Sequence, residues 1–94
     1  MTKKTAFVSV LREDVYSDGS GYCALVKAYG EELSARYIQG EVRVSYTRDM
    51  SYDRTPKWKK EGRLNAARDF VKSRIETFPK SWHDAHNELY GVQS

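Results

Sequence analysis

Glu41-Val42-Arg43-Val44-Ser45-Tyr46-Thr47 alternates polar and apolar residues without a break. In an extended chain Val42, Val44 and Tyr46 point one way, and Glu41, Arg43, Ser45 and Thr47 the other. A strand in a sheet with one wet face requires that pattern, and it is the clearest strand signal in the chain.

Working back from it, Leu33, Ala35 and Tyr37 also alternate, which fits a strand turning at Gln39-Gly40 into the next. Leu33 and Tyr37 are also four apart, which fits a short helix capped by Gly40. The strand is the preferred reading of 31–39, because a tight Gln-Gly turn makes a simple hairpin. Tyr22 to Tyr29 gives a further run, with Tyr22, Ala24, Val26 and Ala28 on one face. Asp18-Gly19-Ser20-Gly21 is a turn cluster. Ala6 to Leu11 is a short apolar, β-branched run that reads as a buried strand.

Downstream the period changes. Leu64, Ala67, Val71, Ile75 and Phe78 are spaced as an apolar stripe on a helix. Pro79 ends it, since the residue before a proline avoids the α region. Ser81-Trp82-His83-Asp84 reads as a capping box opening a second helix, with Trp82, Ala85 and Leu89 on one face and Gly91 as its stop. The expected fold is α+β. An antiparallel meander of three or four strands fills the N-terminal half, packed by a helix over about 61–78 and a shorter one over about 82–90. Residues 1–94 are expected to form one small domain, with a basic, aromatic connection at 48–60.

Thr55-Pro56 is a good helix start, with threonine as N-cap and proline at the first helical position. Extending the apolar stripe back from Leu64, however, lands on Lys60 and Lys57, which no buried face would choose. The helix therefore begins near Glu61, or its first turns project beyond the sheet. On either reading Met50, Tyr52 and Trp58 have no core to join.

The chain is 39% hydrophobic and 31% charged, too apolar for a disordered tail. Its single cysteine, Cys23, excludes an internal disulfide and reads as a small buried hydrophobe. The apolar run Ala6–Leu11, broken by Ser9, is too short for a signal-peptide core or a membrane span. The expected location is cytoplasmic, with no membrane partner.

Net charge is +3, and its placement matters more than its size. Residues 1–47 hold six basic and six acidic residues, whereas 54–74 hold eight basic residues against Glu61 and Asp69. Arg54, Lys57, Lys59 and Lys60 lie in or beside the connection; Arg63, Arg68, Lys72 and Arg74 flank the helical stripe. These eight could neutralise phosphates, and Tyr52 and Trp58 could stack on unpaired bases. The same residues would suit an acidic protein surface, or simply cover apolar helix edges.

Other chemistry is thinly represented. His83 and His86 share a helix face near Asp84 and Glu88, but no third ligand is evident, so a polar helix face is expected and no metal. No nucleophile elbow or phosphate cradle is present, and no cofactor is expected. Asp18, Glu41 and Arg43 only loosely match the carboxylate-and-lysine arrangement of metal-dependent nucleases. The leading expectation is a non-enzymatic accessory or regulatory protein. It would dock through 48–74 onto nucleic acid or onto a protein that handles nucleic acid. The runner-up is a small inhibitor, of the kind phages encode, that blocks a host enzyme by protein contact. An exposed edge strand at 6–11 could also pair with a second copy about a two-fold axis. Small nucleic-acid-binding domains share this architecture, but architecture alone does not assign function.

Overall fold

A computed structural model of the chain describes residues 8–50 and 53–91. Four antiparallel strands follow one another in chain order: β1 (Val8–Val15), β2 (Tyr22–Ala28), β3 (Glu31–Ile38) and β4 (Glu41–Tyr46). Two helices follow, α1 (Lys57–Glu76) and α2 (Lys80–Tyr90). The α+β meander matches the expected class, and the ambiguous stretch is a strand. The turn decides it. Ile38 pairs with Glu41 across Gln39-Gly40, whose φ angles are 56° and 75°. A two-residue type I′ turn needs both central residues left-handed, and its twist matches that of the strands it joins. Tyr29 and Gly30 make the same turn between β2 and β3, with Tyr29 at φ 50°.

The core lies between the sheet and α1. Tyr22, Val26, Leu33 and Ala35 of the sheet are buried against Ala67, Val71 and Ile75 of α1. Small side chains on both sides, Ala24, Ala28 and Ala35 against Ala67, let the helix lie close to the strands. Val42, Val44 and Tyr46 extend this layer towards the β4 edge. Burying one such aliphatic side chain stabilises by about 1.5–3 kcal/mol, so truncating Leu33 is expected to cost about 2–5 kcal/mol.

β1 departs from expectation. It runs to Val15 instead of stopping at Leu11, and residues 6 and 7 of the expected strand lie outside the described residues. Its pairing with β2 slips between Val10 and Arg12, a bulge that takes up Leu11. Before the bulge Val8 and Val10 face the helix beside Ala28 and Val26; after it Glu13 and Val15 do so, beside Ala24 and Tyr22. The extra residue thus turns Glu13 towards the helix layer. It leaves Leu11 half-exposed on an edge strand, where the sequence pattern implied burial.

The helix ends also differ. α1 starts at Lys57 with Pro56, not Thr55, as its N-cap, and stops at Glu76 with Thr77 as its C-cap. The Thr77 hydroxyl donates to the Arg74 carbonyl at 2.6 Å, and the chain then turns through Phe78. α2 starts at Lys80, directly after Pro79, whose carbonyl accepts from the amides of Trp82 and His83. Ser81 is therefore inside the helix and no capping box forms. The proline already sets the extended residue that must precede a helix.

The buried face of α2 is not Trp82, Ala85 and Leu89. Leu89 is exposed, whereas His86 is only 1% exposed, so the expected polar histidine face is also corrected. Trp82, His86 and Tyr90, four apart, carry the face because each bonds to backbone of the 16–21 connection. The Trp82 indole donates to the Tyr16 carbonyl at 2.8 Å, and the Tyr90 hydroxyl to that of Ser20 at 2.7 Å. His86 Nε2 accepts the Gly40 amide at 3.0 Å, so Nδ1 carries the proton it donates to the Gly19 carbonyl at 2.8 Å. The ring also stacks on Trp82 and Tyr37. Cys23 is corrected too: it faces away from α1, is half-buried, and lies 3.6 Å from the Tyr16 hydroxyl.

Candidate binding surface at the start of the long helix

The apolar stripe of α1 starts at Leu64, and the two turns before it project past the sheet. Lys57, Trp58 and Lys59 are exposed there, Trp58 to 71%. Lys59 Nζ sits 6.0 Å from the centre of the Trp58 ring, within cation–π range. No side chain caps this helix end and no acidic residue occupies its first turn, so the positive end of the helix dipole adds to the lysines. Lys57 reaches Glu61 only at 4.0 Å. Lys60 is half-buried, and its carbonyl accepts the Tyr46 hydroxyl at 3.1 Å, which ties the projecting turns to β4.

The projection is braced from below. Arg48 makes two hydrogen bonds to Glu31, at 2.8 and 3.1 Å, and one to Asp53 at 2.7 Å. Asp53 also accepts the Thr55 amide at 2.7 Å. Hydrogen bonds from Thr55 first, then from Arg48, hold the Asp53 carboxyl well below the usual carboxylate range. Arg48 also lowers the Glu31 carboxyl, chiefly through its hydrogen bonds. Arg63 stands 3.8 Å from Glu31 with its side chain only 17% exposed. One chain of charges thus joins the connection, the β2–β3 hairpin and α1.

Two hollows open on the side of α1 nearest the β2–β3 turn. The first, about 430 Å³, is lined by Tyr29, Trp58, Lys59, Gly62 and Arg63. The second, about 220 Å³, is lined by Val8, Ala66 and Phe70 among others, and shares Tyr29 and Gly62 with the first. Together they form one groove along the helix flank.

The ten residues singled out from sequence do not form one patch. Trp58, Lys59 and Arg63 converge on the first hollow, with Lys57 beside them. Arg54 is exposed in the connection. Arg68 and Lys72 line a separate hollow with Tyr37, Val42 and Glu76. Arg74 is turned inward: its Nε and Nη2 bind one oxygen of Glu13 at 3.1 and 2.7 Å. Tyr52 lies outside the described residues. Sequence reasoning missed Tyr29, read only as the end of the second strand run, and Gly62, to which it gave no role. The signals that could have found them were a bulky residue before a turn glycine and a glycine within a helix.

Glu41 is held by Arg43 at 3.1 Å, and Asp18 by the Ser20 amide at 2.9 Å. Among the described residues no three of His, Cys, Asp and Glu converge as a metal site requires, and no helix is long and apolar enough to cross a membrane. Comparison with known protein families, with curated proteins and with solved structures finds no match, so the functional reading rests on this geometry.

Proposed function

We propose that this chain is a non-enzymatic, cytoplasmic accessory or regulatory protein that docks onto nucleic acid through the projecting first turns of α1. The observation that carries the reading is Trp58, exposed to 71% on a helix braced by the Arg48 network, with Lys59 against its ring. An exposed indole offers a large apolar face with a polar handle, the kind of side chain enriched at interfaces. Lys57, Lys59 and Arg54, exposed around it, favour an anionic partner.

The test is a mobility shift with nucleic acid at low salt. Binding should weaken steeply as salt rises. Lys57→Glu with Lys59→Glu, both at exposed positions, should reduce affinity and flatten the salt dependence by about one unit of slope per lost phosphate contact. Absence of any shift at low salt would reject the reading.

A second reading, inhibition of a cellular enzyme by protein contact, is favoured by Trp58, Tyr29 and Arg63 lining one hollow. Tryptophan, tyrosine and arginine dominate protein–protein hot spots. A partner that co-purifies after nuclease treatment supports that reading. A partner lost on nuclease treatment supports the first.

A further inference from the structure

We propose that the groove beside α1 receives an unpaired nucleobase, so that the target is single-stranded. This rests on the nucleic-acid reading above and names its substrate class. Three observations point the same way.

The first is the chemistry of the hollow. Trp58 and Tyr29 bring aromatic rings to it, and Lys59 and Arg63 bring cations. A base stacked on Trp58 would leave its backbone within reach of Lys59, the combination that sequence-tolerant single-strand binders use. A volume of about 430 Å³ lies within the range of pockets that hold small organic groups. The Arg63 Nη1 is buried with no hydrogen-bond partner, so a turn of the guanidinium towards an oxygen in the hollow gains a bond at that atom.

The second is Gly62. A glycine in a helix interior costs about 1 kcal/mol relative to alanine. Nothing lies within 4 Å of where its Cβ would be, so no packing requires it. Its effect is to open the groove, because it is the helix residue that both hollows share.

The third concerns the duplex. A helix lying in a major groove must meet flanking phosphates with its exposed side. Beyond the first turn, the exposed residues of α1 include Glu61, Asp69 and Glu76, which repel phosphates, against Lys72 as an exposed cation. Arg74, which could have offset them, is held against Glu13, and Arg63 and Arg68 are half-buried. Contact confined to the Trp58 end suits a flexible strand with free base faces.

The experiment is fluorescence anisotropy at low salt with the intact chain. The probes are an end-labelled oligothymidylate and the same strand annealed to its complement. The wild type should prefer the single strand about tenfold or more. Gly62→Leu fills the groove without changing charge, and Trp58→Ala removes the stacking ring. Each should weaken single-strand binding by roughly five- to a hundredfold, the range one base–aromatic stack supplies. Both sites lie outside the core, so melting temperatures within a few degrees of wild type are expected for both variants. Equal affinity for strand and duplex, or full single-strand binding by either variant, overturns the base-insertion proposal and leaves the docking reading standing. No binding of either probe overturns both.

Discussion

The Gly40 amide donates to Nε2 of His86 at 3.0 Å, joining the β3–β4 turn to the last helix across 46 positions of sequence. The same ring donates from Nδ1 to Gly19, so one imidazole ties two turns together. Replacement by phenylalanine keeps the stacking on Trp82 and Tyr37 and removes both hydrogen bonds. The Gly19 carbonyl is then left buried without a donor, which costs about 1–3 kcal/mol on its own. His86→Phe is expected to destabilise by about 2–4 kcal/mol in urea unfolding with an unchanged m-value. A variant as stable as wild type would show that aromatic packing alone holds α2.

Two glycines should respond in opposite directions to the same change. A Cβ on Gly19 would stand 2.7 Å from the Ala85 Cβ and 3.0 Å from the Trp82 carbonyl oxygen, at a φ of +83°. Overpacking and the left-handed penalty together predict a loss of about 2–4 kcal/mol for Gly19→Ala. Gly62→Ala meets open space within a helix and is expected to gain about 0.5–1 kcal/mol. Thermal melts of the two variants beside wild type check both signs.

How far the sequence could be read follows from which physical rule governs each element. Val42, Val44 and Tyr46 alternate because one sheet face is wet, so β4 was legible from its own residues, as was β2. β1 was not. Its second half, Arg12-Glu13-Asp14-Val15, is polar enough to read as a loop, and only the bulge at Leu11 puts Glu13 where Arg74 can meet it. His86 looked like surface because its bonding partners, the Gly19 carbonyl and the Gly40 amide, are backbone groups that no side-chain pattern reveals. The candidate site was half legible. Misfit between the apolar stripe and Lys57 and Lys60 exposed the projecting turns, and Trp58 with them. Gly62 follows Trp58 by one helical turn, whereas Tyr29 joins that site only through the β2–β3 turn, a tertiary relationship.

Acid should loosen the brace beneath α1 later than ordinary carboxylates would. The Asp53 carboxyl is held low by Thr55 and Arg48, and Glu31 by Arg48. Groups whose folded pKa is depressed add stability above their unfolded values and lose it as pH falls through the folded ones. The Thr55 amide, bonded to Asp53, should therefore titrate in proton–nitrogen spectra with a midpoint clearly below the ordinary aspartate value of about 3.9. Arg48→Met should move that midpoint upward without abolishing the shift, because the Thr55 bonds remain. A wild-type midpoint at the ordinary value would show that the network does not persist in solution.

At the alkaline end the informative group is Tyr22. Its hydroxyl donates to Glu13 at 3.0 Å, and the same carboxylate binds Arg74. Burial first, then the bond to Glu13, pushes Tyr22 up to about 12. An unfolded tyrosine ionises near pH 10, so between about pH 10 and 12 the unfolded chain loses a proton that the folded chain keeps. The contribution is full below pH 10 and fades as pH rises through the folded value. Urea midpoints should therefore fall across that window for the wild type, and fall less for Tyr22→Phe, which has no proton to lose there. Glu13→Gln keeps an acceptor for the hydroxyl but removes the negative charge that opposes its ionisation. It should bring the Tyr22 transition, followed by tyrosinate absorbance, back towards the ordinary value. Parallel slopes for wild type and Tyr22→Phe would mean that the bulge does not deliver Glu13 to Tyr22 in solution.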